Sequence, residues 1–292
     1  MKIDIDWVAQ GFEGSTFHFI PWAINFKALS DPYFYTTLSL TFLFAGLYFL
    51  AKHFGTFNSF ITYVRLSSDK RTKVILELRR KKFHLAGTAI PLLYYGSTSL
   101  NVLPRLLFVG IIVFLATIVV CIELSRFTSE AVNKWFISVF GSIMREKEYN
   151  KVSGTTYYFS GCAATLAIFP PPLACIAILY LVYGDLFAAM VGMIAGRHRI
   201  YQSKTLEGLL GCIGICTTIG TVCLLLFKVS PLYAVLVALA GAIVCGFTEL
   251  WCNGTLFIVN DNFMIPINSS IIMWLLVWAL GLKPHFATGC HV

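Results

Sequence analysis

Long apolar runs alternate with short polar stretches along most of this chain. Runs long enough to cross a bilayer fall near 34–51, 84–101, 105–123, 155–170, 171–191, 208–227, 231–249 and 264–281. Each predicts a helix, because a backbone in lipid must satisfy its own hydrogen bonds. Together they predict an all-α fold, a polytopic integral membrane helix bundle with about eight transmembrane helices. Pro170-Pro171-Pro172 lacks three donors, so it predicts a tight luminal turn between two spans. Between 127 and 144, Ala131, Trp135, Phe136, Val139, Phe140 and Ile143 recur at helical spacing among Glu130, Asn133 and Lys134. That pattern predicts an amphipathic helix, lying in the cytosolic interface or packed on the bundle. Residues 1–32, with Trp7, Phe12, Phe17, Phe19 and Trp22, read as an interfacial lead-in. Asp4, Asp6 and Glu13 interrupt that stretch, which predicts targeting by the first span rather than by a cleaved signal. The chain divides into this lead-in, a first span with its basic loop (33–82), a membrane-embedded domain (83–282) and a tail (283–292).

Composition narrows the class. Hydrophobic residues make up 58% of the chain and charged ones 12%, against about 25% charged in a soluble domain. The net charge of +8 reports topology and anionic lipid contact, not nucleic acid. Most of the 22 Lys and Arg residues fall in three loops, 52–82, 124–153 and 197–207. With eight spans these loops share one side, which the positive-inside rule makes cytosolic. The 250–263 loop falls there too, and both termini face away. The nine Cys residues lie mostly inside spans and read as small packing groups. Cys212 and Cys216 are one helical turn apart with no His or second pair nearby in sequence, which argues against zinc.

Against this apolar background a few charges demand partners, since a carboxylate or cation at membrane depth is costly alone. Arg80 and His84, four apart, share a helix face, with Lys81 beside them. Such a trio suits polyphosphate oxygens, or serves as a topogenic cluster at a helix mouth. Asp185 sits in Leu181-Val182-Tyr183-Gly184-Asp185-Leu186-Phe187-Ala188-Ala189 and needs a cation or a metal. Gly192, Ala195 and Gly196 follow it and let helices approach closely. Lys204-Thr205-Leu206-Glu207-Gly208 opens a span, and a cation with backbone donors at a helix N-terminus binds phosphate. It is not a P-loop, whose Gly-x-x-x-x-Gly-Lys spacing is absent. Asn260-Asp261-Asn262 precedes the last span and offers hard oxygen ligands for magnesium, or caps a helix whose first turn holds Pro266. Glu249 closes the preceding span near enough in sequence to join it.

The order Arg-Lys-x-x-His, Gly-Asp with small residues, Lys-Thr-x-x-Gly, then Asp-Asn-x-x-Ile-Pro resembles the CTP-dependent lipid kinases. That family comprises diacylglycerol, dolichol and phytol kinases and is related to phosphatidate cytidylyltransferases. The resemblance runs from about residue 79 to 281. Gly141-Ser142-Ile143-Met144-Arg145-Glu146-Lys147-Glu148 with Gly154 and Tyr158, and Asn260–Pro266 with Ser269-Ser270, are similar to the fungal diacylglycerol kinases in particular. Tyr183-Gly184-Asp185-Leu186 departs from a more polar Ser-Asp-Thr context, and Met193 stands where Arg or Lys is common. The resemblance implies transfer of the γ-phosphoryl group of CTP to a lipid hydroxyl in the bilayer, most directly diacylglycerol and next dolichol. It implies an endoplasmic reticulum membrane with the active site toward the cytosol. Asp185 and Asp261 would hold Mg²⁺, helped by Asn262 or Glu249. Arg80, Lys81 and Lys204, with Thr205 and Gly208, would hold the triphosphate. His84 would orient phosphate or accept the hydroxyl proton. A cytidylyltransferase would carry a His-Gly-Gly-x-x-Asp-Arg run, which is absent. An ion-coupled transporter would place its charges at the midplane on inverted repeats, whereas most charges here gather at one face.

Overall fold

Proline and short polar residues mark where the helices begin. Pro104, Ser153, Pro170, Thr205, Ser230 and Asn260 each hold extended backbone immediately before a helix. The side chains of Ser153, Thr205 and Asn260 accept from the N–H groups of Thr156, Gly208 and Asn262, which satisfies donors that a first helical turn leaves free. The computed structural model describes residues 84–99, 103–141, 148–252 and 260–282, together with positions 72, 74, 75, 77, 81 and 144. The predicted lead-in, first span and tail lie outside the described residues, as does Arg80.

The helices are α1 (Ala89–Ser99), α2 (Arg105–Thr128), α3 (Glu130–Phe140), α4 (Gly154–Ile168), α5 (Pro171–Leu179), α6 (Asp185–Ala195), α7 (Leu206–Leu226), α8 (Pro231–Trp251) and α9 (Asp261–Ala279). A π turn, Tyr180–Gly184, joins α5 and α6 into one rod, Pro171–Ala195. Among the described residues five helices are long and apolar enough to cross a membrane: α2, the α5–α6 rod, α7, α8 and α9. The chain is a multi-pass, all-α membrane protein. Its only strands among the described residues are β1 (Arg199–Tyr201) and β2 (Lys204–Thr205), an antiparallel ribbon pairing Arg199 with Thr205 and Tyr201 with Lys204. Gln202 makes the reversal at φ 50°. The basic 197–207 loop thus contains a small hairpin that presents Lys204.

The proline run divides unevenly. Phe169 and Pro170 make the turn, while Pro171 and Pro172 open α5, where a missing N–H costs little. All nine residues of α5 are buried. A helix apolar on every side belongs inside a core or a membrane, and α5 lies in contact with α1, α4, α7 and α9. In the rod, 72% of the apolar window is buried, against 22% in α2. The rod is therefore central, and α2 turns Leu107, Phe114 and Leu124 outward. Tyr180 wedges between α7 and α8, its hydroxyl donating to the Ala238 carbonyl at 2.9 Å. A Cβ on Gly241 would lie 3.1 Å from the Tyr180 ring and 2.7 Å from Met273 Cγ, so glycine is needed there.

The amphipathic pattern at 127–144 becomes α3, which packs Phe136 beneath the Arg126 guanidinium and leaves Trp135 and Val139 exposed. Arg126 belongs to a buried polar knot that the sequence reading passed over. Its Nη2 meets Glu123 Oε1 at 2.6 Å, and it donates to the carbonyls of Glu148, Tyr149 and Lys151. Glu123 accepts from Ser153 N at 2.9 Å, and from Ser153 Oγ and Thr156 Oγ1 at 2.8 Å each. The knot ties the chain before α4 to the end of α2. Glu123→Gln leaves a buried guanidinium without its counter-charge, so stability should fall by about 3–5 kcal/mol. Denaturant unfolding in detergent measures this, and a loss under about 1 kcal/mol would mean that the knot is hydrated.

Candidate active site

The π turn delivers Asp185 as the first residue of α6, buried among apolar neighbours. Lys81, a residue of the segment ahead of α1, reaches it. Its ammonium pairs with the Asp185 carboxylate and donates to the Asp185 carbonyl oxygen at 3.1 Å. The two side chains are 3% and 11% exposed, so neither ion could persist there without the other. His84 follows on the same segment, within electrostatic reach of Asp185. Its ring packs edge-on to Tyr158 of α4, with centroids 5.7 Å apart.

A second cation–carboxylate pair lies on the neighbouring elements. Lys204 in β2 pairs with the Glu249 carboxylate and donates to the Glu249 carbonyl at 3.1 Å. Glu249 stands in the last turn of α8, where a cation also complements the negative end of the helix. Burial alone would lower the Lys204 pKa. Glu249 outweighs that, with Asp261 and Asp185 adding to it, so the pKa is raised above the usual lysine value. One ammonium thus feels three carboxylates from α6, α8 and α9.

The start of α9 completes this end of the bundle. Asn260 Oδ1 and Asp261 Oδ1 each accept from Asn262 N at 2.9 Å, and Asn262 Nδ2 donates to the Gly154 carbonyl at 3.4 Å. Pro266 sits in the second turn rather than the first, and offers no N–H to the Asn262 carbonyl. That carbonyl faces α4, where a Cβ on Gly161 would come within 2.8 Å of it. Thr205 and Gly208 have structural duties. Thr205 Oγ1 accepts from Gly208 N at 3.2 Å, and a Cβ on Gly208 would lie 2.7 Å from the Ala188 carbonyl of α6. They cap α7 and let α6 and α7 touch. The N-termini of α4, α7 and α9 and the C-terminus of α8 therefore gather at one end, around two lysines and three carboxylates. Positive helix ends with ammonium groups are suited to anionic oxygens.

Over 222 residues, 68% of this chain and 72% of the relative, the chain is 26% identical to the CTP-dependent diacylglycerol kinase 1 of Saccharomyces cerevisiae. It is 27% identical over 169 residues to the protein of the same name from Schizosaccharomyces pombe, covering 53% of this chain and 74% of that one. A third, from Eremothecium gossypii, is 26% identical over 178 residues, 53% of this chain and 54% of its own. Over much of its length the chain is similar to CTP-dependent diacylglycerol kinases. No family model and no solved structure matches it.

Here Lys81 and Asp185 are in contact although 104 positions separate them. Lys204 meets Glu249, and electrostatic contact joins both pairs to His84 and Asp261. Asn262 stands beside Asp261 but spends its amide on Gly154. A cleft of about 550 Å³ opens beside the hairpin, bordered by Ile194–His198 and Glu207. Sequence reading missed the Glu123–Arg126 knot. Its available signal was an acid and a base three residues apart at the polar end of an apolar run. Cys212 and Cys216 do have a third thiol beside them, Cys245 of α8, which sequence distance concealed.

Proposed function

We propose that the enzyme transfers the γ-phosphoryl group of CTP to the hydroxyl of diacylglycerol, giving phosphatidate. The observation that carries this reading is the pairing of Lys81 with Asp185 and of Lys204 with Glu249 at one end of the bundle, within reach of Asp261. Phosphoryl transfer needs positioning and charge neutralisation more than covalent help, and this cluster supplies both. Lys81 and Lys204, with Arg80, bind the triphosphate, and the N-terminus of α7, held by Thr205 and Gly208, faces the same oxygens. The cleft at Arg197 and His198 has room for the nucleoside end of the donor. His84 orients phosphate or accepts the hydroxyl proton. Asp185, Asp261, Glu249 and Asn262 offer only hard oxygen donors, a set that fits magnesium. When bound, the ion neutralises charge on the β- and γ-phosphates.

Residues 83–282 form the catalytic membrane domain in this reading. The lipid enters laterally, so its hydroxyl meets the site at the membrane interface. The concentration of Lys and Arg in three loops supports a cytosolic active site, and the relatives' names support a membrane of lipid synthesis such as the endoplasmic reticulum. The test is purified protein in mixed micelles with γ-labelled CTP and, in turn, diacylglycerol, dolichol, phytol and phosphatidate. Label should enter the diacylglycerol product. Label entering dolichol or phytol alone would reassign the substrate, and no labelled lipid in any arm would overturn the kinase reading.

A further inference from the structure

Behind Asp185, on the core side of the π turn, three thiols meet. Cys212 and Cys216 come from successive turns of α7 and Cys245 from α8, and all three are fully buried. Cys245 Sγ lies 3.8 Å from Cys212 Sγ and 3.9 Å from Cys216 Sγ, and the three sulfurs lie within 4.8 Å of one another. A triangle with those edges places its centre at most about 2.5 Å from every sulfur, close to the roughly 2.3 Å of a zinc–thiolate bond. Residue 184 leaves room above this triangle because it is glycine. A Cβ there would stand 2.9 Å from Cys216 Sγ, 2.9 Å from Cys245 Sγ and 3.1 Å from Cys212 Sγ. The Tyr180 carbonyl, on the same π turn, accepts from Cys216 and Cys245 at 3.8 and 3.7 Å. It is a neutral oxygen donor beside the three sulfurs.

We propose that Cys212, Cys216 and Cys245 form a binding site for one thiophilic d¹⁰ metal ion of the zinc or cadmium kind, with the Tyr180 carbonyl as neighbouring donor. Soft sulfur ligands select such ions over magnesium, so this site and the oxygen-lined one take different metals. Uptake exchanges three thiol protons, released to solvent, for one divalent ion, and no electron moves. The remaining single negative charge lies within electrostatic reach of both the Asp185 carboxylate and the Lys204 ammonium. The ion would fasten the α5–α6 rod, α7 and α8 together, one residue from Asp185.

The test uses the full chain in detergent, its thiols reduced with a non-chelating phosphine, and Cd²⁺ as the probe. One Cd²⁺ per chain should bind with a sulfur-to-metal charge-transfer band. X-ray absorption of the loaded wild-type protein should find three sulfurs at the metal. Removing an outer-shell partner of a metal site costs about 10–100-fold in affinity, so removing a ligand in Cys245→Ala should cost at least about 100-fold. Cys175→Ala, which alters a buried thiol beside the Pro91 carbonyl, should leave affinity unchanged. Fewer than three sulfurs in the wild-type absorption spectrum would overturn the site. So would equal binding by a Cys245→Ala protein that melts normally. The absorption measurement does not depend on any variant folding.

Discussion

Asp185→Asn should lower turnover by at least about 10³-fold, the largest effect expected of any single change here. The substitution keeps the shape and removes the charge. It also strands Lys81, whose side chain is 3% exposed, so stability should fall by about 3–5 kcal/mol as well. The two losses have different origins and separate in a double variant. Lys81→Met removes the stranded cation, so Lys81→Met/Asp185→Asn should recover most of the stability of wild type and none of its activity. Thermal melting in detergent and turnover at saturating magnesium measure the pair. A double variant that regained both would make Asp185 a structural ion-pair member alone. A single variant with near-normal turnover would remove Asp185 from the chemistry.

Lys204→Gln should lower turnover by about 10²–10³-fold, the usual effect of losing one donor to a developing oxyanion. It should also raise the KM for CTP if, as proposed, the same ammonium holds the ground-state triphosphate. Lys204→Arg keeps the charge and should retain part of the activity. The pH dependence has a definite sign. The folded-state pKa of Lys204 is raised, chiefly by Glu249 against the opposing effect of burial. Its contribution to stability is therefore complete below the unfolded value of about 10.4 and fades only as pH rises through the higher folded value. No activity inflection below about pH 10 should belong to this lysine. Steady-state kinetics across pH, for wild type and both variants, measures these effects. A Lys204→Gln turnover within about threefold of wild type would place the ammonium away from the phosphates.

The elements were legible because each boundary has a local chemical cause. Pro104, the 170–172 run and Ser230-Pro231 stop one helix and start another, so the predicted spans at 105–123, 208–227 and 231–249 differ from α2, α7 and α8 only near their ends. The individual charges were legible too, since a lone carboxylate in an apolar run implies a partner. Which partner was not. Lys81 could have served any anion, and only the fold brings it to Asp185. The π turn is invisible in Tyr180–Gly184 because its widening depends on what packs against it. Cys245 reads as one more small apolar residue of α8, and its meeting with Cys212 and Cys216 is a matter of helix register. Thr205 and Gly208 show a second role that sequence could not reveal. Their motif suggested phosphate contact, and the fold adds a cap and a helix crossing made by the same residues.

The central claim is phosphoryl transfer at this cluster, and the cytidylyl transfer of the related enzymes is its nearest competitor. Both use CTP and differ in which phosphorus is attacked. The most direct measurement is therefore a single reaction of purified wild-type protein with CTP carrying one isotope at the γ-phosphorus and another at the α-phosphorus, with diacylglycerol and phosphatidate both present in the micelles. The account predicts γ-label in the lipid fraction, no α-label there, and loss of the γ signal in Lys81→Met/Asp185→Asn. Recovery of α-label in a cytidine diphosphate lipid, without γ-label in phosphatidate, would contradict it.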